Sequence, residues 1–531
     1  MSEVLRQPLL ASETKIEGRG LRSYFPAIFA IGGSILLVLL RFQLGGQHFI
    51  SDGGLMLIAL ACYLTAAVFH LTNLYAPSEM AQKVGLWLAT AGVFLNLSSW
   101  GVRWINARDM ELALVLKQGG EMPWFFRYIP FANLYDLSLA VAFGAGITTL
   151  LIANRKSFRF LGAITLPLAS IILVLARFIG DEMGNLPPIL DSYWRPIHVG
   201  TASLSYGVAL VCFAVAVIYL LKDKVKTEAF AIWSSIFALA VLAFISRGSV
   251  FTAGAYRASA FQAMGGKGSS IPLRVTLPWV GPILVVAGLL LVGVIVAFGM
   301  YLAKNNEKAR LWGHRFLKLS FVVQACAIAM FVGQVKTATN VVQRIDTGQY
   351  VTFGKWLAEQ EGLKPEQIAQ ISPTQLSQAA AEFVAQRGST LTLNLKSNPV
   401  ELSALITALT GTFFVILFSF RTERLREALP SLEKLDSLMY KTASVTFALL
   451  AMLLITGAVW ANESWGAYWS WDSKEVGALV AWFTYAAYLH TRIARGWTGR
   501  RSAYFAIVGF LLIIFTYLGV SYLLPGLHSY A

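Results

Sequence analysis

Charged side chains are scarce in this sequence. Asp, Glu, Lys and Arg make up 13% of its 531 residues, about half of the ~25% usual in soluble domains, which excludes a water-soluble globule as a description of the whole chain. Cysteine is rarer still. Cys62, Cys212 and Cys326 all fall within apolar stretches, so a disulfide framework and a CxxC redox pair are both excluded. Histidine occurs six times, few enough that each position carries information. No internal repeat or low-complexity tract is evident.

Apolar sequence is what the chain has in abundance, at 56% of residues. Runs of about 17–25 apolar residues recur, each long enough to cross a hydrocarbon core of ~30 Å at 1.5 Å per residue. Lipid offers no partners to backbone groups, so such runs are helical. The sequence therefore predicts an all-α, polytopic integral membrane bundle of about thirteen spans, near 24–42, 55–74, 84–104, 134–153, 160–177, 197–222, 228–246, 277–302, 316–334, 401–420, 441–460, 476–491 and 502–522. No small-residue cleavage site follows the first run, and an uncleaved helix is expected there.

With the N-terminus cytoplasmic, Lys83, Arg155, Lys156, Lys224, Lys308, Arg424, Arg495 and Arg501 all fall inside, as the positive-inside rule requires. The net charge of +15 then reflects membrane orientation and implies no nucleic-acid partner, and the C-terminus is extracytoplasmic. The expected parts are a cytoplasmic tail (1–23), N-terminal membrane helices (24–222), extra membrane helices (223–335), an extracytoplasmic insert (336–400) and C-terminal membrane helices (401–531). Within the insert, ISPTQLSQAAAEFVAQRG predicts a capped helix after a Ser-Pro start.

The densest motif is WANESWGAYWSWDSKE. It places Trp460, Trp465, Tyr468, Trp469 and Trp471 in an expected external loop, ahead of Asp472, Lys474 and Glu475. An aromatic belt is the ordinary account of Trp and Tyr at a membrane interface, but four tryptophans within twelve residues exceed what anchoring needs. A flat apolar shelf with a polar edge suits a porphyrin face.

His198 opens the span 197–222 at its outer end and His528 follows the last span on the same side, so both are expected at the depth of the tryptophans. Two neutral imidazoles flanking an aromatic shelf are what bis-histidine haem iron needs. His70 and His490 each lie about fifteen residues into a span, a drop of ~22 Å toward the inner face. Ionisable groups at such depth face a cavity or a partner, and this pair is the expected ligand set of a second, internal haem. His314, beside Arg315, is the alternative to His70, and His48 has the weakest claim. Arg103, Arg127, Arg195 and Lys474 outside, and Arg492 and Arg495 inside, are candidate propionate partners.

The tryptophan motif resembles the "WWD" signature of the haem-handling superfamily and is similar to CcsA/ResC proteins in particular. The resemblance runs almost unbroken from Leu435 to the C-terminus, through LDSLMYKTASVTFALLAMLLITGAVWA, AWFTYAAYLHTR and LPGLHSYA. PFANLYDL and LPPILDSYWRPIHVGTASLSYG upstream resemble two further family stretches. It lapses between about Asp223 and Arg421. It implies a bacterial cytoplasmic membrane protein of cytochrome c maturation that ligates haem b, passes it outward and presents it to the CxxCH motif of an apocytochrome c. A CcsB/ResB-like membrane partner and, indirectly, a thioredoxin-like thiol reductase go with that role, as part of a holocytochrome c synthase. The family's two external histidines match His198 and His528, and its transmembrane histidine matches His490, whose fellow ligand in fused relatives can come from the CcsB part, so that a partner residue is a further alternative to His70. No side chain is expected to act as a catalytic acid, base or nucleophile.

Two other classes remain open at this point. A permanent bis-histidine electron-transfer protein would need no tryptophan loop, and a secondary transporter would carry broken helices with midplane charges.

Overall fold

The computed structural model of the chain describes residues 24–46, 49–120, 125–179, 188–245, 250, 256–264, 267–393 and 399–520. The first seven helices are α1 (Phe25–Leu44), α2 (Asp52–Tyr75), α3 (Glu79–Gln118), α4 (Leu134–Ala153), α5 (Gly162–Ile179), α6 (Trp194–Lys222) and α7 (Thr227–Ile245). A hairpin of β1 (Tyr256–Met264) and β2 (Lys267–Leu277) leads to α8 (Val280–Lys304) and α9 (Glu307–Thr337). Short helices α10 (Tyr350–Gln360), α11 (Pro365–Ile368) and α12 (Pro373–Arg387) precede strand β3 (Leu391–Leu393). The chain then forms α13 (Pro399–Ser419), α14 (Thr422–Ala428), α15 (Leu432–Trp465), α16 (Ser473–Arg495) and α17 (Arg500–Ile514).

Every expected span falls on a helix, and the protein is a polytopic helical membrane protein. Among the described residues ten helices are long and apolar enough to cross a bilayer, and the pair α13–α14, bent by 88°, supplies an eleventh. α3 and α16 fall short of that measure; α3 carries Arg103, Arg108, Asp109 and Glu111 in its C-terminal half.

α6 is the most enclosed span, with 83% of its apolar window buried. It packs against α4, α15 and α17. Its approach to α4 is main chain against main chain: a Cβ on Gly207 would lie 2.5 Å from the carbonyl carbon of Gly144, a close approach that small residues permit between membrane helices.

The expectation of an all-α chain needs one correction. Residues 256–277, expected only as part of a membrane-helix region, form an antiparallel hairpin, and β3 from the distant insert adds to it in the order β2-β1-β3, pairing Ala260 with Leu393. Alternating buried residues such as Ala258, Ala260, Ile271, Leu273 and Val275 give the sheet an apolar face, covered by Phe353, Ala380 and Val384 of the insert helices. α12 starts at a capping box in which Ser372 and Gln375 satisfy each other's backbone N–H groups, as Ser-Pro with glutamine three residues on predicts.

Candidate functional site

The site is built where α6 meets α15. His198 stands in the second turn of α6, and its Nδ1–H donates to the main-chain carbonyl of Leu453 on α15 at 2.9 Å. A carbonyl only accepts, so Nδ1 carries the proton and Nε2 is the nitrogen with a lone pair. The ring lies 5.6 Å from that of Trp460, tilted by 47°.

The tryptophan segment is less of a loop than its sequence suggests. α15 continues through Trp465 and ends at Gly466, whose φ of 74° is the left-handed geometry of a helix C-cap. Seven residues later α16 begins with Asp472 as its N-cap. Asp472 accepts from the Lys474 N–H at 3.0 Å, while Glu475 reaches back to the N–H groups of Ser470 and Asp472 at 2.9 and 3.2 Å. Asp472, expected at the porphyrin edge, is instead the cap that holds the loop's end. Trp471, also expected to contact haem, is 73% exposed and sits at φ 58° just before that cap.

Trp460, Trp465, Tyr468 and Trp469 line one cavity with His198, of about 150 Å³. That is below the ~300–1,000 Å³ of small-molecule pockets, so a macrocycle seated here keeps an edge outside the enclosed space. Trp460 is only 4% exposed, and its indole Nε1 has no hydrogen-bond partner. A buried donor left unmade beside an imidazole and three aromatic rings suits a flat, largely apolar ligand with acceptor groups at its edge.

Phe131, Leu137, Tyr206 and Tyr517 are also among the lining residues. Sequence reasoning did not single them out, although the segment around Phe131 and Leu137 carries part of the family resemblance. Tyr517 is held by a 2.6 Å hydrogen bond to Ser138, in a π-helical turn at Phe515–Gly519 that follows α17.

Of the four cations expected outside, Lys474 reaches the cavity. It precedes the apolar stretch 476–491, and burial lowers its ammonium from the usual 10.5 to about 8, with Asp472 opposing the shift. The other three have different partners. Arg103 is buried and paired with Asp136 and, at 3.3 Å, with Asp52. Arg195 donates to the carbonyls of Ile129 and Arg127, and Arg127 pairs with Asp191 at 2.7 Å. Arg492, expected on the inner side, is engaged by Asp436 at 3.0 Å.

His70 and His490, expected to share an internal haem, stand on α2 and α16. His70 is 3% exposed on α2, which packs on α3 and α5. Its ring fills a slot so narrow that a Cβ on Gly162 would lie 2.5 Å from Cδ2 and one on Gly85 3.4 Å from the same atom. His490 is exposed on α16, which packs on α15 and α17. His314 lies 3.7 Å from Glu228 and edge-on to Phe298. His528 and His48 lie outside the described residues.

The family described as "Cytochrome C assembly protein" matches residues 131–265 and 284–528, reaching into the stretch where the resemblance lapsed. A relative in Synechococcus sp. (strain CC9902), named "Cytochrome c biogenesis protein CcsA", is 59% identical over 98 residues, which cover 18% of this chain and 32% of that protein. Another of the same name in Prochlorococcus marinus (strain MIT 9215) is 41% identical over 165 residues, covering 31% of this chain and 53% of the relative. The aligned stretch thus spans between a third and about half of these curated relatives. With its family matched across more than half its length, and an imidazole set against clustered tryptophans within the matched region, the chain belongs to the cytochrome c assembly protein family.

Proposed function

We propose that this protein acts in cytochrome c maturation by holding haem b on the extracytoplasmic face of the bacterial cytoplasmic membrane and presenting it to the CxxCH motif of an apocytochrome c. A CcsB/ResB-like membrane protein would be its partner, and a thioredoxin-like reductase would keep the substrate thiols reduced. The observation that carries the reading is His198, its Nδ1–H fixed on Leu453 and its ring on a tryptophan-lined cavity. A ligand histidine that donates its other nitrogen to a backbone carbonyl is the usual arrangement at a metal.

In this role His198 would supply one axial nitrogen and His528 the second. Trp460, Trp465, Tyr468 and Trp469 would cover a macrocycle face and exclude water, and Lys474 would meet a propionate. Haem is cargo and supplies the reacting vinyl groups. Each cysteine S–H adds across a vinyl double bond, sulfur to one carbon and hydrogen to its neighbour, so no oxidant or leaving group is needed. The chain's contribution is then orientation. With all thirteen long helices counted as crossings, the hairpin, the insert and the tryptophan segment share the outer face, opposite Lys224, Arg424 and Arg501. An internal site formed by His70 and His490 is not part of this proposal.

Haem content and c-type cytochrome yield of His198→Ala, with and without added imidazole, test it. Loss of both with partial return in imidazole is expected. Normal cytochrome yield in that variant would sink the proposal.

A further inference from the structure

We propose that Gly457 is a positioning residue for His198: lacking a side chain, it opens the Leu453 carbonyl to the imidazole and so determines which ring nitrogen keeps its lone pair. This rests on the reading of His198 as an axial ligand.

In an α-helix the carbonyl of residue i points at the N–H of residue i+4, and for Leu453 that residue is Gly457. A donor from another helix reaches the same carbonyl only by passing across position 457. His198 does so, at 2.9 Å. A Cβ built on Gly457 would lie 2.7 Å from Cε1 and 2.9 Å from Nδ1 of that ring, with Nε2 next at 3.6 Å. All three nearest atoms belong to His198. At Gly207 the nearest atoms are main chain, which marks a glycine kept for helix crossing; Gly457 is kept clear for one side chain.

The carbonyl does not need the histidine, because Thr456 also donates to it at 3.3 Å. What the contact satisfies is the ring's own N–H, and thereby its tautomer. Trp460 stands on the ring's flank, 5.6 Å away between centroids.

The test is Gly457→Ala in the full-length membrane protein. Overpacking at a well-fitted contact predicts a drop in external haem affinity on the order of tenfold, partly reversed by imidazole. In haem-free protein, His198 released from Leu453 should react faster with diethyl pyrocarbonate, followed on its own peptide by mass spectrometry. Without added imidazole, the double variant H198G/G457A should match H198G alone in accumulation and residual haem, because the added methyl then meets no ring. An unchanged reaction rate and spectrum in G457A would overturn the proposal. So would a double variant falling as far below H198G as G457A falls below the native protein. Should G457A not accumulate, recovery in the double variant supports the assignment and failure of both refutes it. If His198→Ala retains haem, the ligand reading fails, while the reaction-rate and accumulation arms still decide the role of Gly457.

Discussion

Ser192 donates its hydroxyl proton to the Glu463 carboxylate at 2.6 Å, fastening the turn before the His198 helix to the last turns of the tryptophan helix. Half the site is thereby tied to the other half outside the membrane core. Ser192→Ala should lower the thermal midpoint in detergent, at a cost of about 1 kcal/mol because Glu463 is exposed. Glu463→Gln keeps an acceptor and should lose less. Equal midpoints for Ser192→Ala and the native protein would show the link to be slack.

The Arg103 guanidinium, buried between Asp52 and Asp136 and 4.4 Å above the Tyr135 ring, joins α3 to the first turns of α2 and α4. Arg103→Leu leaves two buried carboxylates uncompensated, a cost of about 3–5 kcal/mol. The variant should fail to accumulate in membranes, and Arg103→Lys should rescue it poorly, because an ammonium cannot present the planar fork that reaches both acids. Near-native accumulation of the leucine variant, read by immunoblot, would contradict this.

The tryptophans should separate by position. Trp460→Ala and Trp469→Ala remove cavity walls and should lower haem content severalfold, whereas Trp471→Ala removes an exposed ring off the cavity and should leave haem content near native. Haem-to-protein ratios of the three purified variants decide it. Equal loss in all three would mean that Trp471 folds over the ligand.

Lys474 gives a pH signature. Its folded value of about 8 lies below the ordinary 10.5, so the folded state binds fewer protons across that interval and stability rises with pH through it. Below about 8 the buried charge is a penalty in full. Lys474→Met should flatten the rise in thermal midpoint between pH 8 and 10, and an unchanged slope would place the titration elsewhere.

His70→Ala and His490→Ala should also diverge. The first empties a close-packed slot and should cost about 2 kcal/mol or more; the second removes an exposed ring and should leave the thermal midpoint unchanged. A common effect on stability would mean that the two share a site after all.

Helix positions were legible because the apolar period and the basic inner loops are local signals. The tryptophan cavity was half legible: Trp460 and His198 announce themselves by residue type, while Tyr206 and Tyr517 look like any aromatic in a membrane helix until α6 and α17 are packed together. Asp472 misled because a carboxylate after tryptophans serves equally as a ligand contact and as an N-cap. Only Glu475 three residues later, the capping-box partner, signalled the second role. The pairing of β1 with β3 was not legible, since nothing local in LTL or in YRASAFQAM points to a partner so far along the chain.

That pairing bears on how the protein is made. β1 leaves the ribosome well before α8, α9 and the whole insert, and its outer edge waits unpaired until Leu391–Leu393 follows it. An unfilled strand edge is an invitation to wrong partners, and the closure that protects it spans α8, α9 and the three insert helices α10–α12, which slows it more than it weakens it. The hairpin and the insert are therefore one unit of assembly. A truncation that spares the hairpin and removes the insert would leave an open edge, and a chain halted before β3 would present the same hazard during its own synthesis.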